Sequence, residues 1–403
     1  MTAKCGGETE TSVPVEPSTE GARRRRMEIH RFRYVAAAEN AAARPPENGR
    51  KRKQDEVSPG CLTGRFEEST GKVVEKVPEV EVSGSPESGV TTGLGSGLSS
   101  DHGPRFGVTS VCGRRREMED TVGIHPFLCR NSHRSSGDSH FFAVYDGHGC
   151  SHVAVKCRDR MHEIVKEELE SGSRSTWKDT MSLSFSKMDQ EITDMSSGPT
   201  AGARPCCRCE LKSLHCDAGS TAVVAVVTPD SIVVSNCGDS RAVLCRKGVA
   251  VPLSHDHKPD RPDELTRIQD AGGYVINWDV PRVGGLLAMS RAIGDDYFKP
   301  YVIPEPEVTV TERTEHDECL ILASDGLWDV VSSETACNVA RMCLKHGRPP
   351  SSPARSPASA SEACYGSDLS CWDASILLTK LALARHSSDN LSIVVVDLRP
   401  RGV

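Results

Sequence analysis

Four acidic residues sit where a run of apolar residues stops or starts. Asp146 ends "FFAVY", Asp325 ends "CLILAS", Asp389 precedes "NLSIVVV", and Glu119 lies in "GRRREMED" just after "GVTSV". An ionised carboxylate at the end of a buried strand needs a compensating charge, because leaving it unpaired costs several kcal/mol. Asp146 has no basic residue beside it, only the turn "GHG". The small or amide residues that follow in "SDG" and "SDN" suit tight turns where the backbone comes close to something. A cluster of hard oxygen ligands of this kind calls for Mg²⁺ or Mn²⁺, bound by a few carboxylates and completed by water. Zinc fits less well, since the strand ends offer Asp rather than Cys and His. One Asp after a strand is commonly just a turn former, so the case rests on the four together, and spacing alone leaves their convergence open.

The elements that must bring these acids together are legible as strand-like runs at "TAVVAVVT", "SIVVSNC", "RAVLCRKGVAVPL", "ECLILAS" and "LSIVVVDL". The third contains "RKG", a hairpin signal. Val153, Cys157, Met161, Ile164, Val165 and Leu169 follow helical spacing after Ser151, so a helix is expected behind the "DGHG" turn. Further helical patterns occupy "RPDELTRIQDAGG", with Pro262 suited to a first turn, "SSETACNVARMCL" and "DASILLTKLALARHSS". Strands grouped as hairpins with helices between the groups favour an α+β architecture over a parallel α/β sheet.

Residues 1–100 read differently. They are rich in Gly, Ser, Pro and Glu, poor in aromatics and without sustained periodicity, which predicts a disordered tail. Two basic clusters inside it, "RRRRMEIHRFR" and "GRKRK", are of the kind read as nuclear targeting signals or, more simply, are solvated charge runs. The expected folded domain covers residues 101–400, with a flexible insertion near 347–371, "GRPPSSPARSPASASEACYGSDLSC". A formal net charge of −7 does not suggest a nucleic-acid partner, and no apolar run approaches the ~20 residues that span a bilayer. Seventeen scattered cysteines, an odd number with no apolar signal segment ahead of them, read as reduced thiols in the cytosol or nucleus. Cys206, Cys207, Cys209, His215 and Cys216 lie together in "CCRCELKSLHC", but their spacing fits no strong zinc pattern.

Eight motifs in order, "RREMED", "VYDGHGC", "GSTAVVAVV", "NCGDSRAVL", "DHKPDRPDELTRIQDAGG", "LAMSRAIGD", "LILASDGLWDVV" and "SDNLSIVVV", resemble the type 2C metal-dependent protein serine/threonine phosphatases over roughly Phe106 to Leu398. The wording "VCGRRREMED" and "YFKPYVIPEPEVTV" is similar to the plant group A enzymes that act as co-receptors for abscisic acid. The resemblance implies a four-layer α/β/β/α sandwich, two antiparallel sheets flanked by helices, with two Mg²⁺ or Mn²⁺ ions at one end. It implies that Asp146 bridges both ions, that the Gly147 carbonyl and Glu119 complete one, and that Asp325 and Asp389 hold the other. By the same carry-over Arg115 clamps the substrate phosphate and His148 is the general acid. Asp120, Asp239 and Asp329 are left for a third, weaker metal or for support of the first two.

The resemblance also assigns Trp278, Gly149 and Arg282 to binding of abscisic acid receptors, although Trp278 could equally be a partly buried packing residue by composition. It implies phosphoprotein substrates among the sucrose-nonfermenting-related stress kinases, a negative role in hormone signalling, and residence in the nucleus and cytoplasm. The chain departs from the group's usual wording at "WDVPRV", at Gly284 and at "CDAGST". Two other classes are open to test: a pseudophosphatase that binds without turnover, against which the retained acids, Arg115 and His148 argue, and a nuclease that would need the basic clusters.

Overall fold

The strand runs are apolar at almost every position, and strands of that kind are stable only when covered on both faces. The computed structural model describes residues 103–129, 138–171, 176–197, 218–346 and 368–400. Within them the strands are, in chain order, β1 (Arg105–Val111), β2 (Thr121–Cys129), β3 (Ser139–Tyr145), β4 (Gly147–His148), β5 (Gly219–Ser220), β6 (Ala222–Val227), β7 (Ser231–Cys237) and β8 (Arg241–Arg246). They continue with β9 (Val249–Pro252), β10 (Val275–Asn277), β11 (Pro281–Val283), β12 (Ile293–Gly294), β13 (Glu307–Glu312), β14 (Asp317–Ala323) and β15 (Leu391–Asp397). The helices are α1 (His152–Ser171), α2 (Trp177–Ser197), α3 (Pro262–Asp270), α4 (Asp325–Trp328), α5 (Ser333–His346) and α6 (Leu369–Ala384).

Two five-stranded sheets form, in the orders β1-β15-β14-β8-β9 and β13-β7-β6-β3-β2, and every pairing within them is antiparallel. The side-chain alternation of period two then assigns the layers. Phe142 and Val144 point into a core shared with Leu320, Leu322, Val394 and Val396 of the other sheet. Phe141, Ala143 and Tyr145 point the opposite way, onto Met161 of α1 and Phe185 of α2. On the far side Ile321, Ala323, Ile393 and Val395 pack against Ala336 and Ala340 of α5 and Leu378 of α6. The expected α/β/β/α sandwich is therefore present, its order following from which residues face which neighbour.

Several local expectations hold. Lys247 and Gly248 both have positive φ, 53° and 75°, which is the two-residue turn that joins β8 to β9 without splaying them. Pro262 opens α3. The expected insertion at 347–371 is too long at its end: residues 347–367 lie outside those described, but Leu369–Cys371 belong to α6. Asp368 caps that helix, its carboxylate accepting from the Ser370 and Cys371 amides at 2.9 and 3.1 Å. Helix α2 is a finding that the sequence reading did not include. The tail (1–100) and the Cys206–Cys216 cluster lie outside the described residues. Among those described, every cysteine is a free thiol, and no helix is long and apolar enough to cross a membrane.

Candidate active site

One rim of the sandwich collects the strand ends that carry the acids. Asp146 follows β3, Asp325 follows β14, Asp389 precedes β15, and Glu119 and Asp120 precede β2. Asp239 lies in the turn by which the chain crosses from β7 in one sheet to β8 in the other. Carboxylate oxygens of Asp146, Asp239 and Asp325 come within 4.8 Å of one another. Asp239 thus stands in the centre, where sequence reasoning gave it only a supporting place. Glu119 and Asp389 lie outside this triplet but close by: Asp389 ion-pairs with Arg115, and its charge is felt by Asp146, Asp325 and Glu119.

The electrostatics of the rim are strongly unfavourable for the acids alone. Burial first, then the charges of Asp120, Asp325 and Asp239, raise the Asp146 carboxyl well above its ordinary range. Asp325 is raised well above it too, by burial and then by Asp239 and Asp329. Asp120 is pushed up to about 6 by burial, against a hydrogen bond from Ser324 at 2.8 Å. Lys258 offsets part of this, its ammonium donating to one oxygen of Asp239 at 2.6 Å, but the other oxygen of Asp239 is sealed from solvent with no donor. An oxygen-only donor set, mutual repulsion and an orphaned buried oxygen together fit a hard divalent cation. The backbone is held equally close. A Cβ on Gly147 would come 2.4 Å from the Glu119 carbonyl oxygen, and one on Gly326 would come 2.0 Å from that of Asn390. Asn390 ties its own loop to the one between β1 and β2, its amide donating to the Cys112 and Glu117 carbonyls at 2.8 and 3.0 Å while its oxygen accepts from the Glu119 amide at 2.8 Å.

His148 stands in the two-residue strand β4, which pairs with β5, and β5 pairs in turn with β12. Immediately after β12, Asp295 adopts a left-handed backbone (φ 49°) and sets a fully buried carboxylate 2.7 Å from His148 Nε2. Burial pushes the imidazole down, yet the charge and hydrogen bond of Asp295 outweigh it and hold His148 above the usual range. Nδ1, buried, has no partner. Asp295 escaped the sequence reading, since a two-residue strand gives no periodicity to mark it. Arg115 is about half exposed and is held above its ordinary range by Asp389, against the effect of burial.

The three residues assigned to partner binding fall into different settings. Trp278 is 69 % exposed at the tip of the β10–β11 hairpin, so it is no packing residue. Gly149 is exposed with φ 77°. Arg282 is half-buried, and its guanidinium donates to the Leu286 carbonyl at 2.8 Å, bracing the turn beneath the hairpin. Gly284 in that turn has φ 57°, a conformation that a bulky side chain adopts only with strain.

Comparison with known proteins agrees with this geometry. The pattern of the Protein phosphatase 2C family matches residues 105–390. Protein phosphatase 2C 37 of Arabidopsis thaliana is 55% identical over 408 residues, covering 98% of this chain and 97% of the relative. Probable protein phosphatase 2C 49 of Oryza sativa subsp. japonica is 57% identical over 334 residues, 76% of this chain and 80% of its own. A crystal structure of a serine-threonine phosphatase 2C from Toxoplasma gondii shares the fold with a TM-score of 0.56 at 22% identity, covering 74% of this chain and 96% of that one. The chain belongs to the protein phosphatase 2C family, the metal-dependent protein serine/threonine phosphatases.

Proposed function

We propose that this phosphatase is a negative regulator of abscisic acid signalling: it dephosphorylates stress-activated kinases in the nucleus and cytoplasm, and hormone-loaded receptors inhibit it by covering its active site. The observation that carries the reading is Trp278, a large aromatic exposed on a hairpin whose chain runs on within seventeen positions to Asp295, the partner of His148. Exposed aromatic anchors are typical interface hot spots. The exposed, side-chain-free Gly149 beside His148 leaves room for a partner's loop.

In the same reading two Mg²⁺ or Mn²⁺ ions are held by Glu119, Asp146, the Gly147 carbonyl, Asp325 and Asp389, with Asp239 joining them. When bound, such ions supply Lewis-acid chemistry, lowering the pKa of water and offsetting phosphoryl charge. Arg115 binds the phosphate, since its donors not used by Asp389 form a planar fork that matches two phosphoryl oxygens. His148, hydrogen-bonded through Nε2 to Asp295 and held above its ordinary range by that carboxylate, is the general acid for the serine or threonine alkoxide that leaves.

The test is inhibition of phosphopeptide turnover titrated with abscisic acid receptors, with and without hormone. Wild type is expected to be inhibited only with hormone, and Trp278→Ala to keep its basal rate and escape inhibition. Equal inhibition of the variant would overturn the receptor reading. Full activity in EDTA would overturn the metal reading.

A further inference from the structure

At the rim opposite the carboxylates the two sheets part around a cavity of about 160 Å³. Its walls come from the starts of β1 and β3, the ends of β6 and β15, and the residue after β13. Along β3 the step from His140 in this cleft to Asp146 spans roughly 20 Å, at about 3.3 Å per residue. Three guanidiniums line the cleft, those of Arg105, Arg313 and Arg399, against the one carboxylate of Asp397. Arg399 grips Asp397 through Nε and Nη2 at 2.9 and 2.8 Å, and Arg105 reaches the same carboxylate at 2.9 Å.

Arg313 has no such partner among the described residues. Its Nη1 and Nη2 donate to the Thr228 and Leu398 carbonyls at 3.1 and 2.9 Å, and its Nε–H is sealed from water with no acceptor. His140 Nδ1 accepts from the Phe127 amide at 3.2 Å, and burial holds the imidazole below its usual range. The lining therefore carries two positive charges in excess, and a poorly hydrated, uncompensated charge favours any ligand that supplies its opposite.

We propose that this cleft is a non-catalytic binding site for a phosphate dianion, free or carried as a monoester. A dianion matches the excess charge. Guanidinium forks match tetrahedral oxyanions. The cavity is several times the ~30 Å³ share of one water, which gives a phosphoryl group room. The enzyme's own reaction releases phosphate, so the ligand is always at hand.

The test is calorimetric titration of the full chain in Mg²⁺ with inorganic phosphate. A saturable site with a Kd on the order of 1 mM or tighter is expected beyond any binding that Arg115→Ala removes. Arg313→Gln should weaken that site at least ~10-fold, while turnover of p-nitrophenyl phosphate stays within about two-fold of wild type because the two rims are far apart. Arg313 also ties two carbonyls, so Arg105→Gln is the second variant, with the same loss expected. Methylphosphonate separates the sources: binding as tight as inorganic phosphate assigns the site to a phosphoryl group on a larger molecule, and much weaker binding assigns it to free phosphate. The proposal is overturned if no site remains once Arg115 is removed, if binding survives both Arg313→Gln and Arg105→Gln unchanged, or if chloride binds as tightly.

Discussion

Glu264, on the first turn of α3, is a buried carboxylate held by two arginines outside the active site, and replacing it with Gln yields a quantitative prediction. It is 1 % exposed and accepts from Arg291 Nε and Nη2 at 3.0 and 2.6 Å and from Arg267 Nη2 at 2.8 Å. Burial alone would raise its pKa, but the two arginines and Ser290 outweigh that and bring it to about 2, from an ordinary value of 4.5. At 1.36 kcal/mol per unit the ionised carboxylate contributes about 3 kcal/mol of stability at pH 7. Removing one partner of a buried pair gives a similar figure, about 3–5 kcal/mol. Because the folded pKa is depressed, this stability is complete above about pH 4.5 to 5 and is lost as pH falls towards 2, with less than half left near pH 3. Urea unfolding of wild type and Glu264→Gln should therefore differ by about 3 kcal/mol at pH 7 and converge in acid. A difference below about 1 kcal/mol at pH 7, or one that does not shrink by pH 3, would refute the reasoning.

Other outcomes follow from the rim. Asp146→Asn should abolish metal-dependent turnover and weaken Mn²⁺ binding at least ~10-fold by calorimetry. Because it relieves like-charge repulsion, the metal-free variant should melt no lower than metal-free wild type, and a clearly lower melting temperature would contradict the carboxylate crowding. Asp295→Asn should slow hydrolysis of a phosphoserine peptide by on the order of 10²-fold, yet scarcely affect p-nitrophenyl phosphate, whose phenolate leaves without a proton. Equal losses on both substrates would argue for a merely structural role. Gly326→Ala drives a Cβ into the Asn390 carbonyl, so it should cost about 1–3 kcal/mol and lower Mn²⁺ affinity by displacing the Asp389 loop; unchanged affinity would show that the loop yields elsewhere.

The parts of this fold that were legible are those where one physical rule dominates. Both-face burial made β3, β14 and β15 largely apolar runs, and the acids beside them, Asp146, Asp325 and Asp389, could be read directly. Helix α2 was missed although Met181, Phe185, Met188 and Ile192 follow helical spacing, because methionines among serines and threonines dilute the apolar signal. Asp239 was undervalued because it sits in "GDS", two residues after β7 ends, and only the crossing between sheets brings it to Asp146. Lys258 and Asp295 stand inside the motifs "DHKPD" and "LAMSRAIGD", but nothing in their spacing marks what they touch. Each matters through a single contact made across the fold, 19 and 147 positions away from its partner.

β15 is the last of the described strands, yet it lies between β1, the first, and β14. A ribosome making this domain must hold β1 without its neighbour until nearly all of the domain has been synthesised. Catalytic competence then arrives late and at once, and a stop codon ahead of Asp389 would leave a nascent chain with neither a closed sheet nor a complete reaction centre.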